Sequence, residues 1–181
     1  GGGGGAFPEE RKLDTQYSPQ QVFCPLPSDS SQLSAVLSAA QGRDFVLIGP
    51  PGTGKSQTIV NMIAQFIAQQ KRVLFVSEKI AALDVVYRRL REVGLGEFCL
   101  EVHSSKSKKT EVLAQLHSAW EARGTADADT WQVEAQRLQG HRDVLNQYVE
   151  RLHERYPNGY TIYDAIGIVS TNQDVAPINL V

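Results

Sequence analysis

The chain has 181 residues, room for one ordinary domain and a small appendage. Hydrophobic residues make up 41% and charged residues 21%, which suits a packed core, and the formal charge of −2 excludes a global positive field, though not a local basic strip. Cys24 and Cys99 are the only cysteines and stand far apart, which excludes a cysteine metal cluster and a disulfide framework. With no apolar run of membrane-spanning length and no signal-like start, a cytoplasmic protein with reduced thiols and no membrane partner is expected.

Five glycines open the chain, a low-complexity stretch of linker character. The polar segment to residue 26, with Pro8, Pro19 and Pro25, reads as an extended, flexible lead-in. A helix follows, capped by Ser30 or Ser31, with Leu33, Val36, Leu37 and Ala40 on one face and Gly42 as its stop. Phe45–Ile48 reads as a buried strand running into a glycine-rich loop. After that loop, Ile59, Met62, Ile63, Phe66 and Ile67 make a helical stripe. Val73–Val76 reads as a second buried strand. Ile80, Leu83, Val86, Tyr87 and Leu90 form the next helix, which ends near Gly94, and Phe98–Val102 is a third strand candidate. Strand, helix, strand, helix and strand with short joints imply an α/β fold on a parallel sheet.

Beyond Thr110 the pattern changes. Val112, Leu113, Leu116 and Trp120 give a short helix, and the segment 124–130 breaks it. Trp131, Leu138, Leu145 and Leu152 then recur every seven residues, which suggests a helical hairpin with a short coiled-coil-like seam. Pro157, Asn158 and Gly159 end the hairpin, and Tyr160–Gly167 offers one or two further helical turns. The expected organisation is a lead-in over 1–26, a P-loop NTPase portion over 27–110, a hairpin insertion over 111–157 and a C-terminal segment over 158–181.

The strongest signal is GPPGTGKS at Gly49–Ser56, which matches GxxxxGK[ST] through Gly49, Gly54, Lys55 and Ser56. Glycines let the backbone wrap a phosphate closely, and the helix start behind them favours an anion. Nucleotide contacts are expected from Gly49, Pro50, Pro51, Gly52, Thr53, Gly54, Lys55, Ser56 and Gln57. Lys55 is the expected catalytic cation on the β and γ phosphates of ATP, and the Ser56 hydroxyl is the expected Mg²⁺ ligand.

GPPGTGKSQTIVNMIAQFI followed by KRVLFVSEKIAALDVVYRRL resembles superfamily 1 helicases of the Upf-like type, most closely their large bacterial members. The resemblance runs from about Pro27 to Gly167 and is softer in the hairpin. It implies the front part of a RecA-like motor domain carrying an inserted helical hairpin. It also implies that Gln32 reads the adenine edge, a task suited to an amide that offers both donor and acceptor. Ser77–Asp84 corresponds to the family's next block, which implies nucleic-acid contacts from Ser77 and Lys79, although Glu78 and Lys79 stand where Pro and Ser are common. His103–Lys109 corresponds to a third block, which implies phosphate contacts from Ser104, Ser105 and Lys106. The implied partner is single-stranded nucleic acid, DNA ahead of RNA; the sequence does not define the oligomeric state.

No apolar run in the chain is followed by the Asp-Glu pair that holds Mg²⁺ and activates water in such motors. The nearest imitations end at Glu78 and Glu101. The chain is therefore expected to be the ATP-binding part of an ATP-dependent helicase that binds ATP without hydrolysing it. Two alternatives share the loop: an AAA+ or other P-loop switch, and a non-enzymatic nucleotide-binding or interaction module.

Overall fold

The computed structural model describes residues 7–50, 52–102, 109–122 and 128–171. It divides into two compact units, residues 1–132 and 133–181. In chain order the helices are α1 (Leu13–Gln16), α2 (Ser30–Ala40), α3 (Lys55–Ala68), α4 (Ile80–Glu92), α5 (Lys109–Glu121), α6 (Ala128–His153) and α7 (Ile162–Thr171). Helix α6 gives its first residues to the first unit and the rest to the second.

The apolar stripes of α2, α3 and α4 form as their periodicity predicts. Helix α2 lies against α3, and α3 against α4. Val60 and Ile63 of α3 meet Val86 and Leu90 of α4 in a buried cluster, with Leu26, Ile67, Phe75 and Leu95 packed around it. Deleting most of a buried leucine removes its transfer energy and leaves a cavity, so Leu90→Ala is expected to cost about 2–5 kcal/mol, read by urea unfolding.

The expected parallel α/β sheet is overturned: among the described residues all regular structure is helical and no strand is formed. Phe45–Ile48 and Val73–Val76 are irregular, and Phe98 closes a 3₁₀ turn over Gly96–Phe98. A strand exists only through pairing with a neighbour, and a short apolar run does not encode that neighbour. The side chains expected inside are largely open, with Val46 84%, Ile48 89%, Leu74 88% and Val76 75% exposed. Only Phe75 from these two runs joins the helical core, so helix-on-helix burial replaces the sheet.

The lead-in, expected to be extended and flexible, is tied to α2 and α3. Leu13 is buried, and the Ser34 hydroxyl donates to the Pro8 carbonyl at 2.9 Å. Two buried amides of α3, one turn apart, hold the chain just before α2. The Asn61 Oδ1 accepts from Leu26 N–H at 3.0 Å while its Nδ2 donates to the Leu26 carbonyl at 2.9 Å. The Gln65 Oε1 accepts from Phe23 N–H at 2.7 Å and its Nε2 donates to the Gln21 carbonyl at 2.9 Å. Each amide satisfies the backbone as a neighbouring strand would, so the 21–26 segment needs no sheet.

Both cysteines are free and half-buried, in keeping with reduced thiols. Burial pushes the Cys24 thiol up to about 11 and raises Cys99 as well. Alkylation of Cys24 at pH 8 is therefore expected to be slow in the native protein and to accelerate by an order of magnitude or more in urea. Equal rates in the two conditions would contradict that burial.

In the second unit α7 starts on a reciprocal cap. The Thr161 hydroxyl accepts from Asp164 N–H at 3.0 Å, and the Asp164 carboxylate accepts from Thr161 N–H at 2.9 Å. That backbone N–H, then the Thr161 side chain, holds the Asp164 carboxyl below its ordinary range. The turn at Pro157–Gly159 is closed by Gly159 N–H donating to the Tyr156 carbonyl at 2.8 Å. Of the expected heptad seam, Leu138 and Leu145 are exposed.

Candidate nucleotide-binding loop

The loop begins where the irregular segment 43–50 leaves the helical core and ends where α3 starts. Its glycines are used for both backbone freedom and space. Gly54 precedes α3 with φ of 76°, and Gly52 has φ of 87°, a region that costs side-chain-bearing residues energy. A Cβ on Gly54 would sit 2.6 Å from the Gln32 Nε2 and 2.9 Å from the Gln57 Oε1, and one on Gly49 would sit 2.6 Å from the Thr53 Oγ1. An alanine at either position would push these side-chain ends out of their present places, and at Gly54 it would also strain the backbone.

Thr53 folds back on the loop, its hydroxyl donating to the Pro50 carbonyl at 2.8 Å. The Lys55 ammonium donates to the same carbonyl at 2.6 Å and also to the carbonyl of Gly49. Lys55 therefore lies across the loop it follows, its charge directed at two carbonyl dipoles. Lys55, Ser56 and Gln57 occupy the first turn of α3, whose leading N–H groups lack partners within the helix. Pro51 lies outside the described residues.

Gln32 is brought to this loop from the first turn of α2. Its Nε2 donates to the Thr53 carbonyl at 2.9 Å. Its Oε1 accepts from Asp29 N–H at 3.2 Å, while the Asp29 carboxylate accepts from Gln32 N–H at 2.8 Å and from the Ser31 hydroxyl at 2.7 Å. The cap of α2 is thus Asp29, where Ser30 or Ser31 was expected. The D-x-x-Q spacing of a capping box was the signal for it. The Gln32 N–H foremost, and then the Ser31 hydroxyl, hold the Asp29 carboxyl below its ordinary range. A carboxyl depressed by folding stabilises the fold above its unfolded pKa, and that contribution is lost as pH falls through the folded value. The Asp29 cap therefore persists at neutral pH and weakens only in acid.

Of the expected nucleic-acid residues, Ser77 and Lys79 lie in the turn before α4. The Ser77 hydroxyl accepts from Lys79 N–H at 3.2 Å, turning the chain into α4 and leaving Lys79 exposed. Ser104, Ser105 and Lys106 lie outside the described residues. Among the described residues no group of His, Cys, Asp and Glu could hold a metal ion, and no helix is long and apolar enough to cross a membrane.

Residues 27–158 match the model of a protein family described as an AAA domain. The chain is similar to an uncharacterized ATP-dependent helicase of Mycoplasma genitalium, 46% identical over 82 residues, which cover 45% of this chain and 7% of that protein. It is similar to the DNA polymerase alpha-associated DNA helicase A of Schizosaccharomyces pombe, 37% identical over 68 residues, 37% of this chain and 10% of that protein. It is also similar to the DNA-binding protein SMUBP-2 of Rattus norvegicus, 37% identical over 73 residues, 40% of this chain and 7% of that protein. The chain thus spans no more than a tenth of the length of these curated relatives. No solved structure matches it significantly.

Proposed function

Because the chain belongs to the AAA domain family, matched over residues 27–158, we propose that it is the ATP-binding part of an ATP-dependent helicase of the Upf-like type. The observation that carries this reading is the contact of the Gln32 amide with the Thr53 carbonyl. It sets a side chain able to read a base directly beside the loop suited to the phosphates. The helicase names of two similar proteins support the same class.

The residues present fit a triphosphate. Gly52 and Gly54 hold the positive φ that lets the loop curl ahead of α3, whose leading N–H groups favour an anion. Lys55 would exchange its two carbonyl partners for the β and γ phosphates, and Gly52 and Thr53 would contribute backbone. Ser56, in the first turn of α3, would hold Mg²⁺ through its hydroxyl, consistent with a cation that takes few protein oxygens beside phosphate and water. Bound there, Mg²⁺ neutralises phosphate charge.

The chain binds ATP without turning it over, because no Asp-Glu pair follows an apolar run to activate water. Isothermal titration with Mg-ATP is expected to show one site, and a phosphate-release assay no turnover above background. Turnover that Lys55→Ala abolishes would overturn the second expectation. The nucleic-acid partner is single-stranded, with DNA favoured by the names of the similar DNA helicase A and DNA-binding protein SMUBP-2. Lys79 and the 103–109 segment supply the local basic groups for phosphate. Anisotropy of a labelled oligo-dT strand is expected to show binding that weakens steadily with salt. Binding indifferent to salt, or none at low salt, would remove nucleic acid as the partner.

A further inference from the structure

Gln32 makes two contacts at once, and they leave its amide with a defined remainder. An amide carries two donor hydrogens and two acceptor lone pairs. One hydrogen is committed to the Thr53 carbonyl and one lone pair to Asp29 N–H. One donor and one acceptor remain, on adjacent atoms. Adenine presents a donor at N6 beside an acceptor at N7, whereas guanine presents two acceptors, O6 and N7. The remainder suits adenine only while the amide is held in this orientation. A flip would place an oxygen against the Thr53 carbonyl and a nitrogen against Asp29 N–H, so both present bonds would become repulsive.

The reciprocal cap holds the orientation on the α2 side, the Asp29 backbone N–H directly and the Asp29 carboxylate by fixing the turn that aims this N–H at the amide. The carboxylate fixes the Gln32 backbone at 2.8 Å, and the Asp29 N–H fixes the Gln32 Oε1 at 3.2 Å. The Ser31 hydroxyl steadies the same carboxylate at 2.7 Å. Crowding at Gly54 completes the seat, since the Gln32 Nε2 already occupies the space a Cβ would need. We propose that Asp29 is a positioning residue for base selection: through the reciprocal cap it fixes the Gln32 amide against Thr53 in the orientation that favours adenine over guanine. This rests on the reading of Gln32 as the base-contacting residue.

The test is titration of the full chain with Mg-ATP, Mg-GTP and inorganic tripolyphosphate. Asp29→Ala is expected to weaken ATP about tenfold, the scale of losing an N-cap, while GTP and tripolyphosphate stay within about twofold. Asp29→Asn, which keeps an acceptor at the cap, is expected to restore the preference for ATP. Should Asp29→Ala fail to fold, Asp29→Gly carries the same test, because glycine caps a helix nearly as well without offering the carboxylate. Equal weakening of all three ligands would show a purely structural role and overturn the proposal. An unchanged ATP to GTP ratio in Asp29→Ala, with Gln32→Ala abolishing that ratio, would overturn the proposal alone. An unchanged ratio in Gln32→Ala would instead overturn the reading of Gln32 on which it rests.

Discussion

Lys55→Ala is expected to weaken Mg-ATP binding about a hundredfold, with little change in thermal stability. The two effects separate because of where the ammonium lies. Among the described residues it bonds to the carbonyls of Gly49 and Pro50, at the edge of the loop. With the lysine removed the exposed Pro50 carbonyl keeps the Thr53 hydroxyl, and a surface hydrogen bond that water can replace contributes little net stability. Against a triphosphate the same ammonium meets concentrated negative charge. A charge-assisted bond of that kind is worth about 1.5–3 kcal/mol, and two phosphates share it, so about 3 kcal/mol, or two powers of ten, is the expected loss. Titration calorimetry reads the affinity and a melting curve reads the stability. Affinity within threefold of the parent would mean that the loop does not grip phosphate through Lys55.

The position of Lys55 was legible because a motif of fixed spacing carries its own local structure. The same holds for the stripes of α2, α3 and α4, where a period near 3.6 is written within single segments. The sheet was not legible in this sense. Phe45–Ile48 and Val73–Val76 have the composition of buried strands, yet composition does not say which segment pairs with them. In the described structure Val46, Ile48, Leu74 and Val76 stay open, and only Phe75 is drawn into the helical core. The α2 cap was misplaced by one or two residues because serine and aspartate both suit the position. Only the reciprocal partner, Gln32, distinguishes Asp29 from Ser30 and Ser31.

The amides of α3 show a different limit. Thr58, Asn61 and Gln65 fall at i, i+3 and i+7, outside the apolar stripe of Ile59, Met62, Ile63, Phe66 and Ile67. They are among the most buried side chains of the described residues. The Thr58 hydroxyl turns back on the Gly54 carbonyl at 3.2 Å, while the partners of Asn61 and Gln65 are backbone groups of residues 21–26, which lie 35 to 44 positions earlier in the chain. No pattern inside α3 announces such a partner. The consequence reaches the site, because the segment that the amides hold leads directly to Asp29 and Gln32.

Gln65→Leu is therefore expected to be the most destabilising change of similar volume in α3. Gln65 is 2% exposed and serves Phe23 N–H and the Gln21 carbonyl together. Leucine fills most of the space and offers neither bond. Each backbone group left unpaired away from water costs about 1–3 kcal/mol, so a loss of about 3 kcal/mol is expected from the pair. For a chain of this size that corresponds to a fall of roughly 10 °C in melting temperature. Gln69→Leu, one turn further along, replaces an exposed side chain and is expected to stay within about 0.5 kcal/mol. The comparison isolates the bonds from the substitution itself. ATP affinity should fall with Gln65→Leu even at temperatures where the protein remains folded, since a loosened 21–26 segment no longer fixes the start of α2. A Gln65→Leu protein as stable as Gln69→Leu would mean that the lead-in is not held by α3 in solution, and that Gln32 reaches the loop by the α2–α3 contact alone.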